Sequence, residues 1–161
     1  IAEYEGPVYL RFGRPKMPVF TPDNQEFKIG EAVMLNEGVD VTILATGHLV
    51  WEAIEAGHIL ADMGIDAEVI NIHTIKPLDA DAILKSVGKT GCVVTAEEHQ
   101  MNGGLGDSVA QLLARKNPTP LEMVAVNDSF GESGVPALLM EKYGLTRTDI
   151  VKSVETVMKR K

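Results

Sequence analysis

The sequence predicts an α/β domain built on a mainly parallel sheet with helices on both faces. Three observations lead there. Short β-branched runs alternate with longer segments whose apolar residues recur at helical spacing, glycine or proline punctuates most of the junctions, and the residues just after each strand-like run are polar.

Taken in order, residues 7 to 12 (PVYLRF) read as a short strand, and Pro15, Pro18 and Pro22 then interrupt regular structure for about ten residues. That strand has no sequence-adjacent partner, so the first ~20 residues read as the tail of a preceding domain plus a linker. From Phe27, FKIGEAVMLNEG predicts two short strand-like pieces and a turn. A buried strand follows over about Val39 to Ala45, ended by Gly47. Leu49 to Met63 places Val50, Ile54, Ile59 and Leu60 at helical spacing and stops at Gly64.

Ala67 to Ile72 is a second core strand, and Asp79 to Val87 a helix with Asp79 near its start. The run at 92 to 97 (CVVTAE) is a third strand, followed by the turn Asn102-Gly103-Gly104-Leu105-Gly106 and a helix through about Arg115. A fourth strand is expected at 121 to 126. Two helices close the chain, Pro136 to Tyr143 and Thr148 to Lys159, with Gly144 as a stop and Thr148 as a cap. No internal repeat is present.

Composition bounds the function. The chain has 45% hydrophobic and 24% charged residues, which suits one globular domain. A net charge of -8 and a pI of about 5.0 argue against a broad nucleic-acid contact surface. The one basic run, Lys159-Arg160-Lys161, reads as a solvated helix end. Cys92 has no disulfide partner and sits in an apolar strand, which fits core packing in a reducing compartment. No run approaches the ~18 to 20 apolar residues of a membrane helix, and no signal core opens the sequence, so a cytoplasmic location is expected. The first residue is Ile1 rather than Met, which fits a piece of a longer polypeptide.

In an open parallel sheet, ligands bind beyond the carboxyl ends of the strands. Thr46, Gly47 and His48 follow the first core strand, His73 and Thr74 the second, Glu97, Glu98, His99 and Gln100 the third, and Asn127 and Asp128 the fourth. One reading makes this edge an acid-base site. The favoured reading is that these groups bond one another, cap helices or meet a neighbouring domain. A metal site is not expected, because adjacent Glu97 and Glu98 point apart on a strand and no HExxH or CxxC spacing occurs. Gly103, Gly104 and Gly106 open a helix whose amides offer an anion cradle, although the pattern is neither GxGxxG nor a Walker loop. Arg11 and Arg14 are spaced to clamp a phosphate or simply to be solvated. Trp51 and His58 read as packing on a helix face.

Five strings together resemble one family. DVTILATGHLV (40–50), INIHTIKPLD (70–79), VTAEEHQMNGGLGDSVAQLLA (94–114), FGESG (130–134) and KYGLT (142–146) are similar to the carboxyl-terminal domain of transketolases, particularly forms split into two subunits. The resemblance covers nearly the whole chain. It implies a three-layer fold with a sheet of about five strands, mostly parallel with one antiparallel edge. It divides the chain into 1–24, the last strand and linker of a pyrimidine-binding domain, and 25–161, the carboxyl-terminal domain.

The resemblance further implies an intact enzyme that transfers a two-carbon ketol unit between sugar phosphates, as in the pentose phosphate pathway, using thiamine diphosphate and Mg. In the family these cofactors bind to the pyrimidine-binding and diphosphate-binding domains, so this chain is expected to hold neither and to be inactive alone. Its partners would be those domains, in a homodimer of the intact assembly. Arg14 matches the family's sugar-phosphate arginine, although Gly13-Arg14-Pro15 departs from the commoner Ser-Arg-Gln. His48, His73, Glu97, Glu98, His99, Gly103 and Gly104 then belong to an interface or an anion crevice. The rivals are 1-deoxy-xylulose-5-phosphate synthase, the beta subunit of an alpha-ketoacid dehydrogenase, and a free-standing phosphate-binding module.

Overall fold

A computed structural model describes residues 1, 3–11, 13 and 16–161. Five strands, β1 (Val33–Asn36), β2 (Val41–Ala45), β3 (Ala67–Asn71), β4 (Val93–Gln100) and β5 (Leu121–Val126), form one sheet in the order β1-β3-β2-β4-β5. β1 runs antiparallel to β3 at one edge, and every other pairing is parallel. Helices α1 (Leu49–Asp62), α2 (Ala80–Thr90), α3 (Leu105–Lys116), α4 (Pro136–Lys142) and α5 (Arg147–Met158) complete three layers, as expected.

Period-two alternation decides which side chain faces which layer. Val41, Ile43 and Ala45 of β2 join Val94 and Ala96 of β4 in a core that α1 and α5 cover with Ala53, Leu60, Ile150 and Val154. Leu44, Ile70 and Val93 face the other way, against Ile83, Val87 and Val109 of α2 and α3. β2 has neighbours on both sides and helices on both faces, and all five of its residues are buried.

The α2 layer also buries polar groups. Thr42 Oγ1 lies 2.6 Å from Ser86 Oγ and 2.7 Å from Thr90 Oγ1, and Thr90 donates in turn to the Cys92 carbonyl at 3.2 Å. Beside them the buried Glu68 carboxylate pairs with Lys89. Burial alone would raise the Glu68 pKa, but Lys89, the Ser86 hydroxyl and the Gly38 amide outweigh it and hold the carboxyl below its ordinary value. Gly38 fits here because it has no side chain: a Cβ would stand 2.7 Å from the Ala67 carbonyl oxygen.

Residues 7–11 pair with no strand of this chain, and Val8, Tyr9 and Leu10 are exposed; Phe12 lies outside the described residues. Three local expectations need correction. The stretch 27–32 is turn and coil, so only its continuation β1 is a strand. The cap of α5 is Thr146 rather than Thr148, since Thr146 and Asp149 form a reciprocal capping box with Thr146 Oγ1 2.6 Å from Asp149 Oδ2. The basic end is not simply solvated: Arg160 pairs with Glu122 and donates to the Leu121 carbonyl, while Lys161 Nζ donates to the Asp40 carbonyl at 3.2 Å.

A strap leads into the domain at the opposite, carboxyl edge of the sheet. Phe20 stacks on Trp51 in the first turn of α1 with ring centroids 6.5 Å apart, and Phe27 lies 4.5 Å from the His73 ring just beyond β3. Ala32 N donates to Asp79 Oδ2 at 2.7 Å, so the residue that caps α2 also anchors the strap. Trp51 therefore packs as expected, whereas His58 is exposed beside Glu55.

Candidate functional site at the carboxyl edge of the sheet

The chain begins its parallel sheet in the middle at β2, adds β3 on one side and then crosses to β4 on the other. The crevice between β2 and β4 is thus the topological switch point, where sheets of this kind place their ligands. Thr46, Gly47 and His48 line one side and Glu97, Glu98 and His99 the other.

Glu97 turns inward and is 1% exposed. Its Oε2 accepts from Leu105 N and its Oε1 from Gly106 N, both at 2.8 Å, so the carboxylate lies across the first turn of α3. Charge-assisted bonds and the positive end of the helix dipole both favour this arrangement. The glycines follow from it. A Cβ on Gly104 would stand 2.7 Å from the Glu97 carboxyl carbon, and one on Gly106 would stand 2.7 Å from Met123 Sδ. Gly103 has open space around it but a φ of 86°, a left-handed conformation that suits glycine. The amides that hold the carboxylate are those of Leu105 and Gly106, while Gly103 N donates to Asp107 Oδ2.

Glu98 points the other way, toward solvent, and its Oε2 lies 2.7 Å from His48 Nδ1, joining the two sides of the crevice. His99 bonds the Gln100 carbonyl at 2.6 Å through Nδ1, which is 4.0 Å from Glu97. His73 pairs with Thr74 at 2.8 Å and sits on the far side of β2, beyond β3, with Nε2 buried and unpartnered. The structure therefore joins His48 to Glu98 and sets His99 beside Glu97, while His73 stands apart under Phe27. Arg14 lies outside the described residues.

Sequence reasoning missed Glu52. Its carboxylate accepts from the Arg147 backbone N at 2.8 Å and from the Arg147 guanidinium at 3.0 Å, while Glu55 takes another guanidinium N–H at 2.6 Å. This ties α1 to the start of α5 beside a groove of about 620 Å³ lined by Met140, Leu145 and Lys152 among others. Burial would lower the Arg147 pKa, but the bonds to Glu52, the largest influence, and to Glu55 raise it. The partners are about 95 residues apart in the chain, and no local pattern announces the pair.

Among the described residues no group of three or more His, Cys, Asp or Glu is placed to hold a metal ion. The amides at the start of α3, where the glycines suggested an anion cradle, are taken by Glu97 and so are not open to a cofactor phosphate in this structure. No helix among the described residues is long and apolar enough to cross a membrane.

Residues 30–150 match the family described as transketolase, C-terminal domain. The chain belongs to that family. It is 48% identical over 161 residues to the 6-deoxy-6-sulfo-D-fructose transketolase subunit SqwH of Clostridium sp. (strain MSTE9), covering 100% of this chain and 50% of that protein. It is 42% identical to a putative transketolase C-terminal section of Methanocaldococcus jannaschii, covering 99% of this chain and 51% of that protein. A 1-deoxy-D-xylulose-5-phosphate synthase of Desulforudis audaxviator is 37% identical over 99% of this chain and 26% of its own length. A solved structure described as a split gene transketolase, inactive beta4 tetramer, superposes with a TM-score of 0.92 at 45% identity, covering 98% of this chain and 52% of that one. The transketolase domain described here thus spans about half the length of the first of these relatives.

Proposed function

We propose that this domain serves assembly in an enzyme that transfers a two-carbon ketol unit between sugar phosphates, with thiamine diphosphate and Mg held by domains outside these 161 residues. The observation that carries the reading is the state of the switch-point crevice. Glu97 is bound by the α3 amides and Glu98 by His48, so the edge where this fold places a ligand is closed by its own side chains. Family membership supports the reaction class. On this reading residues 1–24 belong to the last strand and linker of a pyrimidine-binding domain, and Arg14 contacts the substrate phosphate. The assembly is oligomeric and cytoplasmic.

The test is ketol transfer with thiamine diphosphate and Mg, measured on this chain alone and on the full-length parent assembly, including any separate subunit that carries the diphosphate-binding domain. Xylulose 5-phosphate and 6-deoxy-6-sulfo-D-fructose serve as donors, the second because of the SqwH relative. Transfer by the parent assembly and none by the chain alone is the expected result. Transfer by the 161 residues alone would sink the assembly reading. A second reading, the same domain of a 1-deoxy-xylulose-5-phosphate synthase, draws support from the 37% identical synthase. Product formation from pyruvate and glyceraldehyde 3-phosphate would establish it instead.

A further inference from the structure

The strap, residues 16–32, is held to the domain at few points. All of residues 16–31 except Met17, Phe20 and Gly30 are exposed. Its backbone bonds, Gln25 N to the Pro22 carbonyl at 2.9 Å and Glu31 N to the Lys28 carbonyl at 3.1 Å, close turns within the strap itself. Among the described residues, the hydrogen bond that leaves it is Ala32 N to Asp79 Oδ2 at 2.7 Å. The other attachments are packing contacts: Phe20 on Trp51, Phe27 on His73, and Gly30 beside the Pro77 ring, where a Cβ would stand 3.0 Å from Cγ. Segments with so little buried contact open locally at a small fraction of the cost of global unfolding.

His73 supplies a reason to open. Its Nδ1 lies 2.8 Å from Thr74 Oγ1, but its Nε2 is buried and meets no partner. A buried polar atom left in that state is costly, and the cost is relieved when water reaches it. Phe27, whose ring lies 4.5 Å from the imidazole, is itself 66% exposed, so lifting it away sacrifices little buried surface.

We propose that residues 16–32 form a latch that opens as one unit while the sheet stays whole, with His73 as the group whose hydration favours the open state. Asp79 joins latch to domain: Oδ2 holds Ala32 N, and Oδ1 caps α2 through Ala82 N at 3.0 Å. Closed, the contacts at Trp51, His73 and Asp79 fix the angle at which the chain enters the domain. Open, the domain swings against the residues that precede the strap. The device is independent of the reaction proposed above.

Two variants of the 161-residue chain test this. His73→Phe keeps an aromatic ring against Phe27 and removes the unpartnered nitrogen. Exchange of the Ala32 amide, read by NMR, is expected to slow about fivefold or more. Unchanged or faster exchange would overturn the proposal, and is the result if an ordered water already satisfies Nε2. Asp79→Ser retains a cap for α2 but takes the acceptor away from Ala32. Because the latch opens as one unit, acrylamide quenching of Trp51, the chain's one Trp and the strap's far contact, is expected to rise about twofold. Unchanged quenching would mean that the contacts open separately. A rise accompanied by faster amide exchange across β2 would mean that the sheet itself had loosened. Either result would sink the latch.

Discussion

Two carboxylates are buried at opposite ends of the one sheet, and they are stabilised in different ways. Glu68, near the start of β3, faces an ammonium, Lys89, with a serine hydroxyl and a glycine amide alongside. Glu97, near the end of β4, has no Lys or Arg paired with it among the described residues, only the His99 ring at 4.0 Å, and is held by two amides of a helix start. The difference teaches that a buried charge is matched by whatever the local topology supplies. A strand's carboxyl end in a parallel sheet meets the next helix's free N–H groups, while its amino end meets helix carboxyl termini and needs a side-chain cation.

The sharpest break is expected at Gly104. Its substitution Gly104→Ala forces a Cβ onto the Glu97 carboxyl, displacing the carboxylate from both amides, and should cost about 3 kcal/mol in denaturant unfolding. A loss under about 1 kcal/mol would mean that Glu97 does not depend on this contact. Glu97→Gln keeps the shape but replaces one acceptor with an NH2 group facing an amide donor. About 2 kcal/mol should be lost, in a form that a raised pH does not restore.

At the other end, Lys89→Met leaves Glu68 buried without its cation. Lys89 is itself 43% exposed, so water screens part of the loss and about 1.5 kcal/mol is expected. The pH dependence follows from the same pair. The folded Glu68 pKa lies below its ordinary value of 4.5, so its contribution is present above that pH and is lost as pH falls through the lower folded value. Lys89→Met should flatten this acid limb of the melting temperature, and an unchanged limb would show that other carboxylates set it. The smallest effect, about 1 kcal/mol, is expected for Gly103→Ala, which meets no atom and strains only a left-handed backbone.

Much of this was legible in the sequence, for identifiable reasons. The five strands of the sheet, the helices between them and the polar strand ends follow from periodicity and punctuation, both local signals. The opposed directions of Glu97 and Glu98 followed from strand alternation, and the structure places one inward and one outward. What occupied the glycine cradle was not legible, because Glu97 and the α3 amides are linked by a hairpin-like return whose path only the fold defines. At 7–11 the β-propensity of the sequence has no strand of this chain to pair with, and propensity says nothing about where a partner strand lies. Thr148 was the expected cap, and the acid three places after Thr146, which completes a capping box, went unread. Arg160 and Lys161 read as solvent-facing because their partners lie 38 and 121 residues away.

The carboxylate across the α3 helix start has one more consequence, seen as competition. A free phosphate seeking those amides would meet a rival that never diffuses away, since Glu97 is tethered by the backbone and sits at an effective concentration on the order of millimolar or higher. The helix start that a free anion would seek is held by the protein's own resident competitor.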